Sequence, residues 1–240
     1  MSTVICTVSG KGGTGKSTVS SGLAIAAADM GKSVLLIDLD AGLRCLDIIF
    51  GIDDKIVFDL NDALDGKDIK GAVYTAANYS NISVIPAPAD KDIDFRLLKI
   101  FVSKIKPCFD FVILDFPAGA DFDNYNLFSD ALFLVVSGAD DVSVRDAAII
   151  SGGIVSDLPP RLIINRFDID MIKCGMSKNI DGIIDTSATR LLGIVPADGE
   201  LLMLSRNHML NVKGRAHKAL TRIMLRITGE NVRLPKPKRI

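Results

Sequence analysis

A glycine-rich octapeptide near the N-terminus most constrains the fold of this chain. Its residues, Gly10-Lys11-Gly12-Gly13-Thr14-Gly15-Lys16-Ser17, fit the pattern G-x-x-x-x-G-K-[ST] of a phosphate-binding loop. The apolar, β-branched run at 3–8 predicts a buried strand before it, and 17–30 predicts a helix closed by Gly31. In this order glycines turn backbone N–H groups around phosphate oxygens, and the helix N-terminus adds a favourable dipole. The arrangement predicts a site for a nucleoside triphosphate, with Lys16 on the β- and γ-phosphates and Ser17 on Mg²⁺.

Strands and helices alternate along the rest of the chain. Further buried strands are predicted at 33–40, 81–86, 109–115, 131–137, 161–165 and 192–195. Helical segments are predicted at 59–64, 92–105, 142–155, 198–206 and 213–227, and 46–50 is a short apolar segment that follows a loop. Near-continuous apolar strands separated by helices predict an α/β fold of the P-loop NTPase kind, a twisted, mostly parallel sheet with helices on both faces. We expect one ATPase domain at 1–227 and a basic, flexible C-terminal tail at 228–240.

Composition narrows the class of protein. A chain of 240 residues with 48% apolar and 24% charged residues fits one globular α/β domain. No run has the length of a transmembrane helix, and the N-terminus opens directly into strand and loop, so we expect no signal peptide. The scattered cysteines, Cys6, Cys45, Cys108 and Cys174, form no CxxC pair and predict reduced thiols in a cytoplasmic protein.

The net charge of −1 is unevenly distributed along the chain. From Lys213 onward nine basic residues accompany one acidic residue, Glu230, so this segment carries +8 and the rest −9. The basic residues are Lys213, Arg215, Lys218, Arg222, Arg226, Arg233, Lys236, Lys238 and Arg239. A basic end on an acidic body favours contact with an anionic surface, although a solvated helix face and a frayed tail would give the same pattern.

Acidic residues stand where predicted strands end. Parallel sheets bind ligands outside the carboxyl ends of their strands. Asp38 and Asp40 end the second predicted strand two residues apart, so both are expected on one face. Asp115 follows four apolar residues in the Walker B pattern, which places a carboxylate beside Mg²⁺. The alternative for Asp115 is a cap on the following turn.

A second lysine in the loop, Lys11, is not required by an ordinary phosphate loop. With it, the sequence K-G-G-T-G-K-S-T at 11–18 resembles the deviant Walker A motif of the MinD/ParA family. In that family the first lysine reaches across a dimer interface to the partner's nucleotide. The segments 38–47, 115–119, 143–146 and 162–166 look like the MinD branch of the family, and the resemblance covers about residues 3–205.

The resemblance implies an Mg²⁺-dependent ATPase that dimerises with ATP, separates after hydrolysis and acts in the spatial regulation of cell division. Asp40 would position the attacking water, with Lys11 and Lys16 stabilising charge. Asn165 would read the adenine edge, and backbone near Pro196 would complete that pocket. The implied contacts to ATP or ADP are Gly10, Lys11, Gly12, Gly13, Thr14, Gly15, Lys16, Ser17, Thr18, Asn165, Arg166 and Pro196. The implied Mg²⁺ ligands are Ser17, Asp38 and Asp115.

Two departures from the MinD branch bear on mechanism and location. Cys45 stands where that branch usually has asparagine, and cysteine is a poorer hydrogen-bond partner. Pro235 and Pro237 exclude a helix at the very end of the chain. Attachment to an anionic membrane, as a peripheral protein, would then rely on the charge of the C-terminus, and DNA is the less favoured surface.

Other functions in the same family remain open from the sequence. The expected partners are a second copy of the chain with ATP and a regulatory protein, either an inhibitor or an activator of division. Alternatives are a ParA-type DNA partition ATPase, a flagellar-number regulator, or a nucleotide-binding regulatory module with little turnover.

Overall fold

The structure, a computed structural model, describes residues 2–42, 44–67, 69–89, 92–204 and 214–235. The strands are β1 (Thr3–Val8), β2 (Val34–Asp38), β3 (Tyr74–Ala76), β4 (Tyr79–Ile85), β5 (Phe111–Asp115), β6 (Leu132–Ser137), β7 (Arg161–Phe167) and β8 (Arg190–Pro196). The helices are α1 (Lys16–Asp29), α2 (Leu46–Phe50), α3 (Leu60–Leu64), α4 (Phe95–Ile105), α5 (Phe122–Tyr125), α6 (Asp141–Gly153), α7 (Ile169–Lys173), α8 (Ile180–Ser187), α9 (Gly199–Leu202) and α10 (Arg215–Ile227).

One sheet carries all eight strands in the order β3-β4-β2-β5-β1-β6-β7-β8. Every pairing is parallel except β3 with β4, which is antiparallel. The central strands β2 and β5 are buried along their whole length because helices cover both faces of the sheet. The predicted α/β fold with a mostly parallel sheet is confirmed.

Two apolar clusters fill the space on the two sides of the sheet. One joins alternate strand residues such as Val112 and Leu114 to side chains of α4 and α6. The other joins the intervening residues, such as Phe111 and Ile113, to α1, α2 and α10. This alternation follows from the period of two in a strand, and it leaves only the strand ends free to form a polar site.

Several short elements, among them β3, α5, α7 and α8, were missed by the sequence analysis. β3 has three residues, and α5, α7 and α8 have four, five and eight residues. Such lengths carry too few apolar repeats for a periodic pattern. α7 and α8 begin at side-chain caps instead, since Asp168 accepts from the Asp170 N–H and Asn179 from the Gly182 N–H. The predicted helix at 198–206 is described only as α9, and residues 205–213 lie outside the described part of the chain.

Helix α10 is packed on the sheet and on α1 at close range. Its side chains Leu220, Ile223 and Met224 are fully buried. A Cβ added at Gly22 of α1 would lie 2.5 Å from Leu220, and one added at Gly193 of β8 would overlap Ile223. His217 of α10 also pairs with Asp29 of α1 at 2.7 Å. The apolar face of α10 is therefore part of the core.

Arg226 of α10 ties the following segment back to the sheet. Its guanidinium donates to the carbonyls of Leu192 (2.9 Å), Val232 (2.8 Å) and Arg233 (2.9 Å). The predicted tail at 228–240 is thus attached to β8 as far as Arg233, and its residues 236–240 lie outside the described part. The predicted boundary at residue 227 stays a prediction. Among the described helices, none is both long and apolar enough to cross a bilayer.

We expect Gly193→Ala to lower stability by about 1–3 kcal/mol, because the new Cβ would overpack the contact between β8 and Ile223. Thermal unfolding measures this change. Gly152→Ala in α6 is the matched control, since a Cβ there meets nothing within 4 Å and alanine favours a helix. Equal melting temperatures for the two variants would contradict the close packing of α10 on β8.

Candidate functional site

The phosphate loop connects β1 to α1 at the carboxyl edge of the sheet. Gly13 and Gly15 have φ of 80° and 84°, a left-handed backbone that glycine adopts without strain. The N-terminus of α1 has no side-chain cap, so its first N–H groups stay open toward the loop. Lys11, Gly12, Gly13 and Thr14 line a cavity of about 300 Å³ that extends to Gly138 and Asp140 on the opposite side.

A buried ion pair stands behind the loop. Lys16 Nζ donates to Asp115 Oδ1 at 2.9 Å, and the two side chains are 6% and 0% exposed. The same oxygen accepts from the hydroxyls of Thr7 (3.0 Å) and Ser20 (2.9 Å). The side chain of Asp115 is thus engaged behind the phosphate loop, and its role as a metal ligand stays a prediction.

Asp38 and Asp40 flank this pair. Asp38 lies beside Asp115 in the register of β2 and β5 and accepts from the backbone N–H groups of Asp40, Cys45 and Leu46. Burial and, next, the charge of Asp115 raise the pKa of Asp38 to about 7. Burial also raises the pKa of Asp40, while the Lys16 charge lowers it. Asp38 also anchors the segment that follows β2 through these three hydrogen bonds.

Within that segment, Cys45 approaches Ser17. The thiol of Cys45 is half-buried, and burial raises its pKa to about 12 despite a hydrogen bond with Ser17. It therefore stays protonated next to the predicted Mg²⁺ ligand. Leu43, within the 38–47 segment that looks MinD-like, lies outside the described residues.

The end of β7 contacts the loop from the other side. Asn165 Nδ2 donates to the Thr14 carbonyl at 2.8 Å, and Arg166 Nη1 donates to the Gly13 carbonyl at 3.0 Å. A second cavity of about 220 Å³ adjoins them, lined by Thr18, Pro196, Ala197, Asp198 and two leucines of α9. The structure therefore brings Asn165, Arg166, Thr18 and Pro196 together beside the loop.

Lys11 takes a different position from Lys16. Its side chain is exposed at the rim of the 300 Å³ cavity, near Asp140. The Lys11 charge contributes to lowering the pKa of Asp140, together with hydrogen bonds from Ser143 and against the effect of burial. Lys11 is thus exposed to solvent, whereas Lys16 is buried inside the site.

Three buried polar atoms indicate what the site can hold. Within the described residues, Thr14 Oγ1, Asp115 Oδ2 and Asn165 Oδ1 have no hydrogen-bond partner. Buried polar atoms are normally satisfied, so these fit groups supplied by a ligand. No cluster of three or more His, Cys, Asp or Glu side chains in the described part could hold a metal alone. This suits Mg²⁺, which usually binds through one or two carboxylates together with phosphate oxygens and water.

Sequence reasoning missed Thr7, Ser20 and Asp140. Ser20 follows Lys16 by four residues and so shares its helix face, a signal that was available from spacing. Thr7 lies opposite Asp115 only because β1 pairs with β5, which the chain order alone does not reveal. Asp140 becomes relevant only because β6 lies beside β1 and brings the start of α6 over the loop.

Comparison with known proteins agrees with this geometry. Residues 5–212 match the family described as CobQ/CobB/MinD/ParA nucleotide binding domain. The septum site-determining protein MinD of Bacillus subtilis is 36% identical over 98% of this chain and 92% of its own length.

Two solved structures share the fold over nearly the whole chain. The chain in the MinC:MinD cell division protein complex of Aquifex aeolicus is 31% identical, with a TM-score of 0.87 over 98% of this chain and 99% of that one. MinD of Pyrococcus horikoshii, complexed with Mg-ADP, is 23% identical, with a TM-score of 0.79 over 95% and 96%, and shows the fold alone.

The resemblance first carried by Lys11 and the phosphate loop is confirmed by these matches, and so is the MinD branch within it. The chain belongs to the CobQ/CobB/MinD/ParA family of nucleotide-binding proteins, and within it to the MinD ATPases that determine the septum site in cell division.

Proposed function

We propose that this ATPase is a dimerisation switch that closes around Mg-ATP and opens after hydrolysis. The observation that carries the proposal is the open phosphate loop between the exposed Lys11 and the buried Lys16–Asp115 pair. Lys16 serves its own nucleotide from inside the site. Lys11 would serve the nucleotide of a second copy, in the manner of an arginine finger.

The metal site in this proposal consists of Ser17 and the carboxylates beside it. Asp115 Oδ2 is buried and unpartnered within the described residues, which fits a ligand or a metal-bound water. Asp38 directs its oxygens to three backbone N–H groups, so its role would be to hold the following segment near the metal. Bound Mg²⁺ would neutralise charge on the phosphates.

Nucleobase choice follows from Asn165. Because Asn165 Nδ2 donates to the Thr14 carbonyl, its Oδ1 is fixed as a buried acceptor without a partner among the described residues. The exocyclic amine of adenine is a donor, whereas guanine presents an acceptor at the same position. A mismatched buried acceptor is costly, so the pocket favours ATP over GTP.

We expect Lys11→Ala to bind Mg-ATP but remain monomeric, because the exposed lysine would no longer reach the partner's nucleotide. Light scattering of the purified protein with Mg-ATP and with Mg-ADP measures this. Lys104→Ala, an exposed lysine at the end of α4, is the matched control. Lys16→Ala should bind neither nucleotide, since the phosphates lose their buried counter-charge. Normal ATP-dependent dimers of Lys11→Ala would reduce Lys11 to a surface lysine.

We expect Asp40→Asn to lower kcat by at least about a hundredfold while ATP affinity changes little, because a water-positioning carboxylate acts in the transition state. The half-buried Asp40 interacts electrostatically with both Lys16 and Asp115, which supports a position beside the phosphates. Steady-state phosphate release and calorimetry with Mg-ATP separate the two quantities. Asp157→Asn, an exposed acid near the start of β7, should behave as wild type. Unchanged turnover in Asp40→Asn would assign the water to another group.

A regulatory protein partner is part of the proposal. It is supported by the complex in which the Aquifex aeolicus relative is assembled with MinC. Formation of a dimer would create a composite surface that a partner could distinguish from the monomer, which makes the nucleotide state readable by another protein.

We also propose contact with an anionic membrane through an arginine corner, defined as Arg161, Arg190, Arg222, Arg226 and Arg233. Arg161 and Arg190 are neighbours in register at the starts of β7 and β8. Partial burial and then the Arg190 charge lower the pKa of Arg161, and burial and Arg222 do the same to Arg226. Across the described residues, none of the five forms an ion pair with a carboxylate.

The arginine corner adds its positive charge to that of the basic C-terminus. Arg226 holds the chain beside it as far as Arg233, and the tail residues Lys236, Lys238 and Arg239, like Lys213, lie outside the described part. The apolar face of α10 is buried, so attachment would depend on charge.

We expect the double variant Arg161→Gln/Arg190→Gln to bind anionic vesicles about tenfold or more weakly, since each arginine near such a surface contributes about 1 kcal/mol. Co-sedimentation with phosphatidylglycerol-containing vesicles, at low and high salt, measures this. Vesicles of phosphatidylcholine alone and Lys55→Gln/Lys104→Gln are the controls. Binding that resists salt, or a preference for DNA over vesicles, would contradict the membrane proposal.

A further inference from the structure

The end of β7 contains a β-bulge. Ile164 pairs with Ile194 and Phe167 with Pro196, so Asn165 and Arg166 together stand opposite one residue of β8, Val195. In a regular strand two consecutive side chains point to opposite faces. A bulge re-aims side chains and recurs beside active sites. Here it lets two consecutive side chains reach the same target.

That target is the backbone of the phosphate loop. Asn165 and Arg166 donate to the carbonyls of Thr14 and Gly13, which are themselves consecutive. The next residue, Gly15, has no room for a side chain, since a Cβ there would overlap the Asn165 amide nitrogen. Two adjacent peptide groups of the loop are therefore held by hydrogen bonds from β7.

Arg166 makes its contact from a strained backbone. Its φ is 54°, one of only two positive values among non-glycine residues in the described chain, the other being Ala188 at 48°. A left-handed conformation is unfavourable for a residue with a Cβ. Strain of this kind persists where the surrounding structure enforces it, often at functional sites. The hydrogen bond from Arg166 to the Gly13 carbonyl is made from this strained backbone.

We propose that Arg166 is a positioning residue for the nucleotide. Its guanidinium holds the Gly13 carbonyl outward, and this keeps the N–H groups of the loop turned toward the phosphate position. The inference rests on the proposed nucleotide site. It assigns Arg166 to the loop backbone rather than to the reacting phosphate, so its loss weakens binding of Mg-ADP and Mg-ATP alike and raises KM more than it lowers kcat.

Three substitutions at position 166 separate the effect of the hydrogen bond to Gly13 from the effect of the backbone strain. Arg166→Ala loses the contact and keeps the strained backbone, whereas Arg166→Gly loses the contact and relieves the strain. Arg166→Lys retains a single donor that can reach the carbonyl. Ala188→Gly is the matched control, because it relieves similar strain at the end of α8 without touching the loop.

Calorimetry with Mg-ADP, thermal unfolding without nucleotide, and steady-state kinetics give the three readouts. We expect Arg166→Ala and Arg166→Gly to bind Mg-ADP about five- to tenfold more weakly, the loss of one hydrogen bond, and Arg166→Lys to recover part of the affinity. Arg166→Gly should melt a few degrees above Arg166→Ala. Ala188→Gly should melt above wild type with unchanged affinity.

The outcomes discriminate between roles. If affinity follows the melting temperature across the three variants, Arg166 is only structural, and the proposal is wrong. A fall in kcat at constant KM would make it catalytic and would equally overturn the positioning role. Failure of wild type to bind Mg-ADP would instead refute the nucleotide site itself, and unchanged affinity in Arg166→Ala would refute the positioning role of Arg166 alone.

Discussion

The buried ion pair between Lys16 and Asp115 is the interaction on which the rest of the site depends. Removing two charges from water is unfavourable unless their remaining hydrogen bonds are satisfied, and removing one partner of such a pair is strongly destabilising. The hydroxyls of Thr7 and Ser20 complete the arrangement at Asp115 Oδ1. The pair thereby fixes β1, β5 and α1 to one another and sets the electrostatic environment of Asp38, Asp40 and Cys45.

The parallel sheet explains why these groups meet. All strands except β3 run in the same direction, so the loops after β1, β2, β5, β6, β7 and β8 emerge at one edge. The chain contributes the phosphate loop after β1, carboxylates at the ends of β2 and β5, the cap of α6 after β6, an amide and a guanidinium at the end of β7, and Pro196 at the end of β8. Segments separated by more than 150 residues, such as Thr14 and Asn165, come into hydrogen-bond contact there.

Local patterns were sufficient for the loop, the central strands and the strand-end carboxylates. The apolar runs before Ser9 and Asp115 are long enough to identify buried strands, and a strand end in a parallel sheet is a binding position. The contacts of Thr7 with Asp115 and of Arg161 with Arg190 were not predictable, since both depend on which strands are neighbours. The bulge at Asn165 and Arg166 was also beyond reach, because it is defined only by the pairing of β7 with β8.

The parallel strands also set the phosphate loop and the arginines Arg161 and Arg190 at opposite edges of the sheet. The phosphate loop lies at the carboxyl ends of the strands, and Arg161 and Arg190 lie at the amino ends of strands seven residues long. Such a strand spans about 20 Å, more than twice the distance of about 8 Å over which salt screens exposed charges. A phosphate bound at one edge and an anionic surface held at the other would therefore interact only weakly through the surrounding salt solution. Coupling between them would then be mainly mechanical, through the strands that connect the two edges.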